Sequence, residues 1–273
     1  MSARILDGQA LAAEMRAEIA AEAEEFARAH GFRPQLTAIQ IGESRPIQVY
    51  LRQIQRAFHN VDLGFYKQEL PEETELPALL AAIERLNREP AVSGILVGMP
   101  LPAHLPGRQV AEAIDLDKDV DGVHPNNAGR LLWGEGEYFA PATPSGGLEL
   151  LRRAEIDVAG KKAVVVGRSN IVGKPMAVLL LHEHATVTVA HSRTPDLGAV
   201  TRTADILVSA AGKPKLITAD MVRPGAVVID FGVNVVDGQL VGDVDFEAVK
   251  EVAGAITPVP GGTGPLTNIM LMR

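Results

Sequence analysis

The segment from Lys162 to Leu181 most narrows what this chain can fold into. Lys162-Ala163-Val164-Val165-Val166 is apolar and β-branched enough for a buried parallel strand, and Met176 to Leu181 continues as an apolar helix. Between them lies Gly167-Arg168-Ser169-Asn170-Ile171-Val172-Gly173-Lys174-Pro175. Gly167 permits a tight turn, Gly173 lets the helix approach the strand, and Pro175 suits a first helical turn, where its missing N–H costs little. Free backbone amides at such a turn face an anion, so the segment reads as a nucleotide phosphate cradle. The match to G-x-G-x-x-G is incomplete, because Ser169 replaces the second glycine and the last interval is one residue longer. A tight βα turn without a ligand is the alternative.

The rest of the chain repeats the strand and helix alternation. Leu11, Met15, Ile19 and Phe26 recur near helical spacing from Gln9 to His30, and a strand follows from Gln35 to Ile41. Ile47, Tyr50, Leu51, Ile54, Phe58 and Val61 trace one helical stripe between Pro46 and Val61. Phe65 to Leu70 reads as a strand, Thr74 to Glu89 as a helix and Ser93 to Met99 as a buried strand. Further strands are expected at Ala163 to Val166, Thr186 to Ala190, Ile206 to Ser209 and Val227 to Asp230. This predicts an α/β protein with parallel sheets. Its 273 residues exceed one ordinary core, so two domains are expected, with the junction in the Pro-, Gly- and Asn-rich stretch from Leu101 to Pro144.

Composition excludes several classes of function. Lysine and arginine total 26 against 34 acids, a net charge of -8, with no basic cluster, which argues against a nucleic-acid partner. There is no cysteine, hence no disulfide, thiolate nucleophile or cysteine-ligated metal. Glu14, Arg16 and Glu18 interrupt the first helical stretch, so no signal peptide is read, and no run of eighteen apolar residues predicts a membrane span. A soluble protein located in the cytoplasm is expected. Asp115, Asp117, Asp119 and Asp121 alternate before Gly122, but the twelfth position from Asp117 is Ala128, not the glutamate a calcium loop needs. His182 and His184 have no third ligand nearby, so no metal site is expected.

Five motifs stand in order: Lys118-Asp119-Val120-Asp121-Gly122, Pro141-Ala142-Thr143-Pro144, the turn from Gly167 to Pro175, His191-Ser192-Arg193-Thr194, and Thr257-Pro258-Val259-Pro260-Gly261-Gly262. This series closely resembles the methylenetetrahydrofolate dehydrogenase/methenyltetrahydrofolate cyclohydrolase (FolD) family, from Ile5-Leu6-Asp7-Gly8 to Met270-Leu271-Met272. The resemblance implies an N-terminal α/β/α folate domain over 1–120, joined by 258–273, a Rossmann-type NADP domain over 121–257, a cleft between them, and a homodimer. It also implies NADP-dependent oxidation of a tetrahydrofolate one-carbon derivative, the methylene form, to the methenyl form, which water opens to 10-formyltetrahydrofolate. Tyr50 and Asp121 then belong to the catalytic centre. Tyr50 resembles the tyrosine that packs on the folate rings, and a core position on its stripe is the alternative. Asp121 matches the aspartate that accepts paired hydrogen bonds from the pterin, and a simple turn residue is the alternative. Pro258, Gly261 and Gly262 resemble the family's rigid loop beside folate and cofactor. Gly167, Arg168, Ser169, Val172 and Gly173 take the cofactor phosphates by the same resemblance. With Ser192 as a hydroxyl donor and Arg168 and Arg193 as cations where an NAD site usually places an acid, NADP is preferred to NAD.

Three positions depart from the family pattern. The catalytic lysine one turn beyond Tyr50 is replaced by Ile54, the serine three residues before Tyr50 by Ile47, and the strand-end glutamine by Gly98. Arg52 and Arg56 point roughly 160° to 200° away from Ile54 on an ideal helix, and neither replaces the lysine. Hydride transfer needs two carbons juxtaposed and no side-chain proton transfer. Hydrolysis needs general acid–base help worth roughly 10² to 10⁴-fold, which isoleucine cannot give. The expectation is therefore a dehydrogenase whose cyclohydrolase activity is weak or absent. The alternatives are a bifunctional enzyme with the missing groups supplied elsewhere, for example by Lys67 or His59, and a non-catalytic folate or NADP binding protein.

Overall fold

The computed structural model describes residues 2–273. The chain runs β1 (Arg4–Ile5), α1 (Gly8–His30), β2 (Gln35–Ile41), α2 (Arg45–His59), β3 (Gly64–Leu70), α3 (Leu76–Arg88), β4 (Gly94–Val97), α4 (Gly107–Glu112) and α5 (Pro125–Trp133). It continues through α6 (Ala142–Arg153), β5 (Lys162–Val166), α7 (Gly173–His182), β6 (Thr186–Ala190), α8 (Leu197–Thr201), β7 (Ile206–Ser209) and β8 (Val227–Asp230). A hairpin, β9 (Asn234–Val236) and β10 (Gln239–Val241), precedes α9 (Phe246–Val249), β11 (Ala255–Ile256) and α10 (Thr263–Met270).

The residues form two compact units. One holds Glu14–Ala140 with Leu271–Arg273, and the other holds Pro141–Met270 with the stretch ending at Ala13. They are called the N-terminal and C-terminal units below. Residues 258–270, expected to join the folate domain, pack within the C-terminal unit, because α10 lies against α6 and β11 pairs with β1. The opening strand was not expected from the sequence, since two residues carry no readable periodicity.

In the N-terminal unit β2 lies between β3 and β4, all parallel, with Leu36 opposite Gly94 and Phe65. Ile39, Ile41 and Ile95 pack with Leu79 and Ile83 of α3. α2 lies against β2 and β3, and the helical repeat buries Ile47, Leu51, Ile54 and Phe58. Pro46 is accommodated in the first turn of α2, where no intrahelical N–H is lost.

The C-terminal unit carries a parallel sheet in the order β1-β11-β8-β7-β5-β6. Chain order reverses at β5, which has β6 on one side and β7 on the other. Ligands of doubly wound folds bind outside the carboxyl ends of the strands at such a reversal. The core beneath is aliphatic and small: Val164, Val166, Ala190, Leu207, Val228 and Ile256. Among the described residues, no helix is long and apolar enough to cross a membrane.

Candidate active site

Gly167 follows β5 at the reversal point with φ +129°, and a Cβ there would collide with the carbonyl of Ala210 beyond β7. Only glycine joins that backbone conformation to that approach. The N–H of Gly167 donates to Ala190 O at 2.8 Å and that of Ala210 to Val166 O at 2.7 Å, which ties the three strand ends together. The buried Gly173 opens α7 against the Gly167 carbonyl, where a Cβ would also collide.

One expectation about the turn needs correction. The amides of Val172 and Gly173 are not free for a ligand, because both donate to Ser169 Oγ, at 3.1 and 3.3 Å. Ser169 accepts these amides because it stands three and four residues before them, within reach of a helix start. Among the described residues, the amides of Arg168, Ser169, Asn170 and Ile171 make no hydrogen bond, and the Arg168 side chain is exposed. Ser192 and Arg193 are exposed in the turn after β6, the strand next to β5. That turn is held by His191 N–H donating to Thr194 Oγ1 at 2.9 Å and Arg193 N–H to His191 Nδ1 at 3.2 Å. Arg168, Ser192 and Arg193 thus leave adjacent strand ends.

The loop holding Pro258, Gly261 and Gly262 follows β11 in the same unit. Its Gly261 has φ +103° and its carbonyl accepts from Gln9 N–H at 3.1 Å. Two aspartates that the sequence did not single out hold this edge. Asp243, 0% exposed, accepts from the amides of Ala211, Gly212 and Lys213 at 2.6, 2.9 and 2.9 Å, from Asn234 Nδ2 at 2.9 Å and from Ser209 Oγ at 3.4 Å. Asp230, 2% exposed, accepts from the amides of Gly232, Asp243 and Val244 at 2.7, 3.1 and 2.9 Å. Burial pushes the Asp230 carboxyl up to about 6 and the neighbouring Asp243 charge adds to this, while the Gly232, Val244 and Asp243 amides oppose it. The available signal was two acids, each near a glycine, in Asp230-Phe231-Gly232 and Gly242-Asp243.

In the N-terminal unit, Asp119 and Asp121 have separate roles. Asp119 is buried and accepts from the amides of Val123 and His124 at 3.0 and 2.9 Å and from Asn127 Nδ2 at 2.9 Å, fixing the start of α5. Asp121 is half-buried and, among the described residues, accepts no hydrogen bond. Burial, with the Asp119 charge second, pushes its carboxyl up to about 7. Tyr50 is half-buried and near enough to feel Asp121, since burial first and the Asp121 charge second push its hydroxyl above its usual range. The structure therefore brings Tyr50 and Asp121 into one electrostatic neighbourhood.

Ile54 is wholly buried and Ile47 nearly so. A Cβ at Gly98 would lie 2.8 Å from Ile47 Cγ2 and 3.4 Å from Ile39 O, so the Ile47 side chain fills the space a longer residue at 98 would need. Lys67 is exposed on β3 and pairs with Glu69 at 2.6 Å, and His59 is exposed at the last residue of α2. Neither lies beside Ile54 on the buried stripe. Among the described residues, no group of three or more metal-ligating side chains is arranged around a metal position.

Family comparison accounts for both units. Residues 6–121 match the model of the tetrahydrofolate dehydrogenase/cyclohydrolase catalytic domain, and residues 141–273 match that of its NAD(P)-binding domain. The chain belongs to the tetrahydrofolate dehydrogenase/cyclohydrolase family. It is 54% identical over 274 residues to the bifunctional protein FolD of Roseiflexus castenholzii, covering 100% of this chain and 95% of that one. It is 52% identical to the bifunctional protein FolD of Moorella thermoacetica, covering 100% and 97%. Among solved structures, bifunctional FolD of Campylobacter jejuni superposes with a TM-score of 0.97 at 43% identity, covering 99% of this chain and 96% of that one. The Trypanosoma brucei FolD, solved with NADP cofactor and an inhibitor, gives a TM-score of 0.95 at 38% identity, covering 100% and 95%.

Proposed function

We propose that this family member oxidises 5,10-methylenetetrahydrofolate to 5,10-methenyltetrahydrofolate with NADP, and that it hydrolyses the methenyl product slowly or not at all. The observation that carries the reading is the buried stripe of α2, which presents Ile47 and Ile54 where the family resemblance calls for serine and lysine, with Gly98 at the glutamine position packed beneath Ile47. NADP suits the C-terminal unit because a Cβ at Gly167 or Gly173 would fill the turn, four amides from Arg168 to Ile171 are unbonded, and Arg168 and Arg193 supply positive charge for a 2′-phosphate. When bound, it accepts the hydride released from the one-carbon unit.

The side chains divide the remaining work. Asp121, with no hydrogen bond of its own, accepts the paired N–H donors of the pterin edge once ionised. Tyr50 gives a flat face for the ring and remains a neutral phenol. Ile54 cannot deprotonate water, and its apolar surface places no positive charge against the methenyl cation. We assign Pro258, Gly261 and Gly262 to the loop beside the substrate, Val172 and Ser169 to the cofactor turn, and a homodimer as the assembly.

The close relatives called bifunctional support a second reading, in which both activities persist. One assay separates the two. With methylenetetrahydrofolate and NADP, methenyl absorbance that accumulates together with NADPH supports the first. NADPH formation with rapid methenyl decay supports the second, and tight binding of both ligands without turnover overturns catalysis altogether.

A further inference from the structure

Gln40 stands next to the end of the central strand β2 and is 1% exposed. Its Nε2 donates to Gly42 O at 2.8 Å, while Oε1 is enclosed and accepts nothing. The bond to Gly42 sets which end of the amide is which, since a flipped amide would set two carbonyl oxygens against each other. Side chains alternate along a strand, so Leu36, Ala38 and Gln40 share one face, and Thr37, Ile39 and Ile41 the other. Ile39 and Ile41 pack against α3, which leaves Gln40 on the α2 face. The parallel register pairs Leu36 with Gly94 and Ala38 with Leu96, and the next step on that face sets Gln40 beside Gly98. Gly98 N–H donates to Ile39 O at 2.8 Å, which continues the ladder to that point.

The acceptor without a partner therefore lies one strand away from a glycine whose missing side chain is replaced by Ile47. A leucine or methionine would fill the position of Gln40 without leaving a carbonyl unpaired, so the fold gains nothing from Oε1. We propose that Gln40 is a substrate-binding residue: its amide carbonyl is held by Gly42 to accept a hydrogen bond from an N–H of the bound reduced pteridine, beside Ile47 and Gly98. The inference rests on the folate reading above and adds a contact that the Tyr50 and Asp121 assignments do not include.

The test uses the full-length protein and Gln40→Met, which keeps length and volume and removes the acceptor, with Gln40→Leu as a second variant. Thermal unfolding without ligand and the Kd for tetrahydrofolate are measured for each. The expected result is a ligand-free Tm equal to or above that of the wild type, with binding weakened about five- to tenfold, the effect of one lost hydrogen bond to a buried donor. An unchanged Kd overturns the proposal, and a lower Tm with unchanged Kd would make Gln40 purely a brace for the Gly42 turn. Wild-type protein that does not bind tetrahydrofolate overturns the folate reading itself together with this one, and is seen without any variant.

Discussion

Buried polar groups are treated in opposite ways in the two units. At the carboxyl ends of the large sheet's inner strands, Asp230 and Asp243 accept amide after amide from the loops that follow β7, β8 and β10. On the α2 side of the small sheet, Gln40 keeps an unpaired carbonyl and Asp121 a carboxylate with no donor. A saturated carboxylate fixes backbone and leaves nothing for a ligand, whereas an unsaturated one destabilises the ligand-free fold and becomes useful when a donor arrives. The C-terminal unit is thus pre-shaped by its own side chains, and the N-terminal unit holds acceptors in reserve.

The largest expected effect separates these two kinds of group. Asp243→Ala leaves three loop amides and Asn234 without their acceptor and should lower unfolding stability by about 3 to 5 kcal/mol, or prevent folding. Asp121→Ala should not lower stability at neutral pH, where an ionised carboxylate without donors opposes the fold, while abolishing measurable folate binding. Urea unfolding of the two variants checks this, and equal losses would erase the contrast.

The same contrast explains what the sequence revealed. Gln35 to Ile41, Thr186 to Ala190, Ile206 to Ser209 and Val227 to Asp230 were legible to the residue: the last two as short buried apolar runs, the edge strand Thr186 to Ala190 as an alternating β-branched one, and all by the turn residues around them. The glycine turn after β5 and the α2 stripe were legible because local spacing determines them. Asp230 and Asp243 were not, since their amide partners come from three loops, after β7, β8 and β10, that local spacing does not connect. Nor was the reach of Ser169 Oγ to two helix amides, which depends on the turn's path rather than on its composition. The link between Ile47 and Gly98 was invisible for a similar cause. Each departure is visible in the sequence, but only the fold shows one filling the space left by the other.

That link sharpens the comparison within the N-terminal unit. Gly98→Gln alone should destabilise by about 1 to 3 kcal/mol through overpacking against Ile47, and Ile47→Ser in the same chain should recover most of the loss. Ile54→Lys added to that pair should raise methenyl hydrolysis by roughly 10²-fold or more, whereas Ile54→Lys with Ile47 retained should gain much less. Methenyl decay in single and triple variants provides the measurement. Equal hydrolysis in the wild type and the triple variant would remove the account of the defect.

A smaller effect concerns pH. Burial pushes the carboxyl of Asp121 up to about 7, and on the function proposed above its ionised form accepts two pterin donors. Tetrahydrofolate affinity should therefore be level above about pH 7 and fall up to tenfold per unit below it, and Asp121→Asn should flatten the profile. The sign for stability is opposite. A carboxyl raised above its unfolded value favours the fold while protonated, so its contribution is full below about pH 4 and lost as pH rises towards 7. Binding that strengthens over the range where unfolding stability weakens is the mark of a group kept for a ligand.

The smallest effect tests the C-terminal unit at its least saturated point. Ser169 Oγ already accepts the amides of Val172 and Gly173, which leaves its own hydroxyl hydrogen available to donate to an anion. In that arrangement the positive end of α7 reaches the anion through the hydroxyl, not through the Val172 and Gly173 amides directly. Ser169→Ala should weaken NADP binding by about three- to tenfold, one neutral hydrogen bond, and Ser169→Thr should retain most of the affinity. If Ser169→Ala binds NADP as tightly as the wild type, the two released amides have taken the phosphate themselves. The turn would then act as a bare helix terminus rather than through its serine, and titration of NADP by protein fluorescence distinguishes the two.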